Sequence, residues 1–329
     1  TQMWDILVGH SIVPDTINAI IDWFTGLPGK VLGLVGDFVE GVVEKFANSF
    51  DSDKVKLTDQ MSYYVSKYKL DGDKTYFVKQ SDELKSVASI SSANLCDQAG
   101  ILTPPIYMLR GKNKKSIKTL QQNVEEIDGI EAILARDDVE YSQIQKKVFG
   151  KFKWQMFYDE ELMSYFLRFM TLGCLTQFQN MFLIDELRTD VDRHTKNYFF
   201  YKTKDSKKYQ GVIAIDLELM AIYDYCGAKK DDFINFLAHS YQSALPHQVY
   251  DKTNYIQRVC DMRQLLQDGV LSEANIKAMA AALEYDFPAD MKDICKKNKF
   301  RKKDINEIVV PIERLWEYNQ KTIGKDLGL

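Results

Sequence analysis

One stretch constrains this chain more than any other. An apolar-periodic run from Asp159 to Leu183 gives way to a polar break from Asp185 to Lys196, and then to a hairpin that ends in a carboxylate. Leu162, Phe166, Phe169, Leu172 and Phe178 recur at helical spacing, so the run predicts a helix. Asn197–Tyr201 reads as a strand, a turn rich in Lys and Asp follows, and Gly211–Leu217 returns. The apolar Val212-Ile213-Ala214-Ile215 delivers Asp216 beside the polar break.

The chain before this stretch has a different texture. Met61–Leu70 and Lys74–Gln80 read as paired strands about a turn at Asp71-Gly72. A helix is predicted over Asp82–Ala99 with Gly100 as its C-cap. Ile101–Leu109 and Ser116–Asn123 read as further strands, and beyond about Asp128 the pattern is mainly helical. Among the later helices, one starts at Ser272, a capping residue preceded by Leu271. The expected class is α+β: a small β-rich lobe over 51–128 and a large, mainly helical lobe over 129–329. An amphipathic helical segment over 1–50 precedes them.

That first segment carries Ile17, Ile20, Ile21 and Phe24 on one face, a turn at Gly26-Leu27-Pro28-Gly29, and a second stripe of Val31, Val35, Phe38, Val42 and Phe46. Asp37, Glu40 and Glu44 interrupt it too early for a membrane span. It is expected to pack on a partner chain. No secretory signal pattern opens the sequence.

Composition narrows the function. With 45% hydrophobic and 27% charged residues the chain is an ordinary globular one. A net charge of -4 argues against general nucleic-acid binding. The five cysteines, Cys96, Cys174, Cys226, Cys260 and Cys295, form no CxxC pair and are expected as buried free thiols. The four histidines show no HExxH spacing. The basic runs at Lys112–Lys115, Lys146–Lys153 and Lys296–Lys303 are expected to be solvated faces. The aromatic stretch Phe149–Tyr158 is expected to pack in the core rather than stack on bases.

Phosphoryl transfer needs a cation on the phosphates, a carboxylate for the acceptor hydroxyl and oxygen ligands for Mg2+. Asp192 precedes Asn197 by five positions, the interval between base and metal-binding Asn in kinase catalytic loops. Asp216 follows on the next strand as a second metal ligand. Lys79 ends a strand ahead of a helix, as a phosphate-pairing lysine does. Against these stand blander readings: a self-capped polar loop, a strand-end charge and a solvated lysine.

Asp190-Val191-Asp192-Arg193-His194-Thr195-Lys196-Asn197-Tyr198-Phe199, followed by Ile215-Asp216, resembles the catalytic loop and metal strand of HipA-type bacterial toxin kinases and, less closely, of phosphatidylinositol 3-/4-kinases. Gly100-Ile101-Leu102-Thr103-Pro104-Pro105 looks like the exit of the HipA-type small-lobe helix. The resemblance spans about residues 60 to 260 and implies a two-lobed protein-kinase-like fold using ATP and Mg2+. It makes Asp192 the catalytic carboxylate, Asn197 and Asp216 the metal ligands, and Lys79 the phosphate contact. His194 falls where many Ser/Thr kinases place a lysine near the γ-phosphate, or it orients the loop through hydrogen bonds. The chain departs from the pattern in three ways. It has no glycine-rich loop over 51–70. It has Ser89 where a small-lobe Glu should face Lys79, with Glu83 as an early-helix substitute. It has Leu217-Glu218 after Asp216, where Glu218 is placed to assist the metal. The hinge is expected near Glu125-Glu126-Ile127.

Met3–Gly33, with its Gly9-His10-Ser11-Ile12-Val13-Pro14-Asp15 and Leu27-Pro28-Gly29-Lys30-Val31 pieces, resembles the C-terminal region of phage tail tape-measure proteins. This implies a prophage origin and a tail or other protein partner for residues 1–50, with the chain in the bacterial cytoplasm or on the virion. The expected activity is protein Ser/Thr phosphorylation. The alternatives are a phosphoinositide-type lipid kinase, and a pseudokinase or structural tail module that keeps only the fold.

Overall fold

The computed structural model describes residues 55–60, 65–70, 75–81, 83–110, 117–127, 129–138, 141, 157–188, 190, 193, 195–218 and 264–329. The segment 1–50 and the candidate residues Asp192 and His194 lie outside them.

Strands β1 (Val55–Gln60), β2 (Val65–Leu70), β3 (Thr75–Ser81), β4 (Ile106–Arg110) and β5 (Ile117–Gln122) form an antiparallel five-stranded sheet in the order β1-β2-β3-β5-β4. β1 was not anticipated. It pairs with β2 alone, and its lone Val55 and Leu57 are too short a pattern to read without that partner. β3 is the central strand, so Lys79 sits opposite Val65 on one side and Thr119 on the other.

Helix α1 (Glu83–Gln98) follows β3 and stops where Gly100 takes φ +69°, a left-handed conformation that glycine adopts without a Cβ penalty. Its buried face is built largely of small residues: Ser86, Ala88, Ser89, Ser91 and Ser92. Ser86 Oγ lies 3.2 Å from Thr119 Oγ1 of β5, while Ser91 Oγ donates to Phe287 O and Asn94 Nδ2 to Asp290. α1 therefore packs between the sheet and the helical lobe.

The chain leaves the sheet through Asn123, whose side chain caps a 3-10 turn over Val124–Glu126. This turn links the two sheets, at the position expected for a hinge. Ile130–Leu134 then forms β6, a strand inside a region whose pattern reads as mainly helical. It exists because β7 (Tyr198–Thr203) offers it an edge, with β8 (Gly211–Ala214) on the far side, in the order β6-β7-β8.

The single helix expected over Asp159–Leu183 is two: α2 (Glu160–Phe169) and α3 (Leu172–Arg188). Between them the backbone leaves helical geometry to pair with the β7–β8 turn. Tyr209 N donates to Phe169 O, and Thr171 N donates to Tyr209 O. Thr171 Oγ1 then accepts from Cys174 N at the start of α3. The rest of the lobe is α4 (Glu273–Glu284), α5 (Phe287–Lys297) and α6 (Lys302–Leu327). Ser272 starts α4 with a reciprocal capping box to Asn275, as expected.

One core runs from α1 through α2, α3 and the β7–β8 hairpin to α4, α5 and α6. Its centre is aromatic: Phe157, Phe166, Phe178 and Phe200 pack mostly edge to face. Phe157 is thus a core residue, as the aromatic stretch implied. Cys96, Cys174 and Cys295 are buried and free, and burial pushes the Cys96 and Cys174 thiols up to about 12. Lys296, Lys297, Lys299, Lys302 and Lys303 are exposed, as expected of a solvated face. No helix among the described residues is long and apolar enough to cross a membrane.

Gly211 starts β8 where there is no room for a side chain. A Cβ there would run into Gln177 Oε1, which accepts from Val212 N at 3.2 Å, and would come 2.5 Å from Tyr201 Cε1. Gly211→Ala is expected to destabilise the fold by about 1–3 kcal/mol through overpacking, read as a lower urea midpoint.

Candidate active site

Elements of both lobes meet at the end of the β7–β8 hairpin. β8 is tied to the small lobe just past α1: Leu102 bridges Ile213, and Ala214 N donates to Leu102 O at 2.9 Å. Beyond β8 the chain turns at Asp216, whose φ of 58° lies in the left-handed region that Asp visits more readily than most residues. From β3, Lys79 Nζ donates to Asp216 Oδ1 and lies 3.4 Å from Glu218 Oε2. Asn197 precedes β7. Ile215 N donates to Asn197 O at 3.1 Å, which puts Asn197 and Asp216 at the same end of the hairpin.

The charges of this cluster depend on one another. Burial pulls the Lys79 ammonium down, but Glu218 and Asp216 together outweigh it and hold its pKa above the ordinary lysine value. Burial likewise pushes Asp216 up, but Lys79 outweighs it and holds the carboxyl below the ordinary aspartate value. Glu218 goes the other way: burial and the neighbouring Asp216 raise it. At neutral pH Lys79 is a cation and Asp216 an anion.

A buried ionic frame supports the hairpin end. Arg193 grips Asp185 with both ends of its fork, Nε to Oδ2 at 2.9 Å and Nη2 to Oδ1 at 3.0 Å. Its Nη1 donates to Asn197 O at 2.6 Å and to Ile215 O at 2.9 Å. Arg188 is fully buried, lies 3.3 Å from Asp190 Oδ2, and donates through Nη2 to Leu217 O at 2.6 Å. The two arginines thus hold the carbonyls on either side of Asp216, and the two aspartates balance their charge.

Of the residues singled out in the sequence, the fold puts Lys79 in contact with Asp216 and joins Asn197 to the residue before Asp216. Glu218, placed beside the metal from sequence, pairs with Lys79. Ser89, in the expected position of a lysine-pairing glutamate, is 2% exposed, and its Oγ has no hydrogen-bond partner among the described residues. Glu83 contributes instead to the electrostatic surroundings of Arg301. Asp185 and Asp190, which the sequence offers only as members of the polar break, belong to the ionic frame. Their signal was the charge alternation Asp185, Arg188, Asp190, Arg193, set directly after a run of core residues. No group of three His, Cys, Asp or Glu side chains suited to a metal ion occurs among the described residues.

A small antiparallel sheet over a larger helical lobe, joined at this cluster, defines an α+β, two-lobed kinase-like fold. The structure is similar to that of the proinflammatory kinase CtkA of Helicobacter pylori, at 11% identity and a TM-score of 0.50, over 83% of this chain and 94% of that one. It is also similar to HipA of Shewanella oneidensis MR-1, solved with HipB and operator DNA, at 11% identity and a TM-score of 0.47, over 87% of this chain and 71% of that one. No protein-family model and no curated protein matches the sequence, so the likeness is one of fold.

Proposed function

We propose that this chain is an ATP-dependent phosphotransferase of the HipA-like type that acts on Ser or Thr hydroxyls of a protein. The observation that carries the reading is the meeting of Lys79, from the small-lobe sheet, with Asp216, from the large-lobe hairpin. A cation and a carboxylate from opposite lobes converge, and this pair of charges is what phosphate and metal binding in phosphoryl transfer call for.

Asp216, held ionised by Lys79, and the amide of Asn197 are oxygen donors of the kind Mg2+ takes, and phosphates and water can complete its shell. These two residues would hold the metal, which when bound supplies neutralisation of phosphate charge. Lys79 contributes a cation to the α/β-phosphate side. Arg188 and Arg193 hold the backbone around Asp216 and Asn197 in place. Asp192, which lies outside the described residues, takes the acceptor's proton as the hydroxyl oxygen bonds to the γ-phosphorus. The bond from that phosphorus to the β–γ bridging oxygen breaks, and ADP leaves. His194 remains a contact for the γ-phosphate or a support for the loop.

With γ-labelled ATP and Mg2+ the purified protein is expected to label itself or an added acceptor protein, and Asp192→Ala to label neither while keeping the wild-type melting temperature. Labelled phosphoinositide without protein label would move the assignment to a lipid kinase. A wild-type protein that neither binds ATP nor transfers label would overturn the enzyme reading and leave a fold without catalysis.

A further inference from the structure

In protein kinases the phosphate-binding lysine is oriented by a glutamate on the small-lobe helix. Helix α1 carries two acidic residues, Glu83 in its first turn and Asp97 near its end. Asp97 is exposed, and the buried middle of the helix is Ser86, Val87, Ala88 and Ser89. The second carboxylate on Lys79 comes from Glu218, with Nζ and Oε2 3.4 Å apart and the two side chains 16% and 24% exposed.

We propose that Glu218 is the positioning residue for Lys79, supplied by the large-lobe segment after Asp216 in place of a glutamate on α1; this rests on the phosphotransfer reading above. Two features of the geometry make it more than a chance ion pair. The first is anchorage. Arg193 holds Ile215 O and Arg188 holds Leu217 O, so Glu218 extends from backbone secured on both sides of Asp216. The lysine is thereby referred to the same segment that carries the metal carboxylate, and its orientation does not depend on where α1 sits. The second is sharing. Lys79 Nζ lies between Asp216 and Glu218, so Asp216 is not its sole carboxylate partner. Without Glu218 the lysine would be left to Asp216 alone, and a cation at Asp216 would have to compete with it.

The role is separable from a structural one. Gln at 218 keeps the shape of the side chain, and Lys79 keeps Asp216 as its carboxylate partner, so the substitution should not destabilise the protein. Glu218→Gln is expected to raise the Mg2+ concentration for half-activation by about tenfold and to lower kcat/KM for ATP by about ten- to a hundredfold, as the loss of a close charge allows. Its melting temperature should stay at the wild-type value. Glu218→Asp, shorter but charged, should restore much of the Mg2+ response, and Glu83→Gln should behave as wild type. An unchanged Mg2+ requirement and kcat/KM in Glu218→Gln, with Asp216→Ala inactive, would overturn the role of Glu218 and leave the phosphotransferase reading standing. A lowered melting temperature with activity lost in proportion and no Mg2+ shift would reduce Glu218 to a structural residue. A wild-type protein that binds no nucleotide would overturn the underlying reading itself.

Discussion

Asp216→Ala is expected to cut ATP-dependent phosphoryl transfer by about a thousandfold or more, equivalent to about 4 kcal/mol of transition-state stabilisation. Asp216 is the carboxylate that Lys79 keeps ionised at the end of the β7–β8 hairpin, so its removal takes away a charged oxygen donor. The fold should survive, because Lys79 keeps Glu218 as a partner. Alanine does carry a backbone penalty of about 1–2 kcal/mol at a φ of 58°, whereas asparagine tolerates the left-handed region. Asp216→Asn is therefore the companion variant, with a similar loss of rate and a smaller fall in melting temperature. Single-turnover rates set beside thermal melts read both quantities. A rate for Asp216→Asn within about tenfold of wild type would mean the carboxylate charge is not used in the reaction.

Arg193→Leu is expected to cost about 3–5 kcal/mol of folding stability. That is a large share of the about 5–15 kcal/mol a typical domain has. The loss has two sources. Asp185 and Asp190 would stay buried without the cation that grips them, and the carbonyls of Asn197 and Ile215 would lose their shared donor. Arg193→Lys keeps the charge but not the fork that grips both oxygens of Asp185, so its stability should fall between the two. Denaturant midpoints measure the series. A shift for Arg193→Leu within about 0.5 kcal/mol of zero would be that of an ordinary surface substitution and would contradict the buried frame.

Part of the candidate site was legible in the sequence because some of its members sit at short spacings. The apolar Val212–Ile215 leads directly to Asp216, and Asn197 directly precedes the strand paired with it; Asp192, five positions before Asn197, lies outside the described residues. Lys79 was found because a hairpin-then-helix pattern reads locally. The elements that were missed owe their form to distant partners. β6 is a strand because β7 pairs with it, and β1 because β2 does. The break between α2 and α3 follows from hydrogen bonds to Tyr209, about forty residues on, which no local period records. The roles of Asp185 and Asp190 were hidden for a similar reason: a charged residue at a helix end looks solvated until the fold closes over it.

What the sequence determined by itself was the succession of a β-rich part and a helical part, the start of α4 at Ser272, the stop of α1 at Gly100, and the residue types of the candidate site. Each depends on neighbours within a few positions, through caps, turns and periodicity. Only the tertiary structure decided how those residues are wired. Lys79 and Glu218 are 139 positions apart, and their pairing depends on β8 reaching the small lobe through Leu102. The ionic frame depends on burial, which turns four nearby charges into the clamp that holds the backbone around Asp216. Pairing and burial are properties of the packed chain, and for that reason the contact of Glu218 with Lys79 could not be read from the sequence.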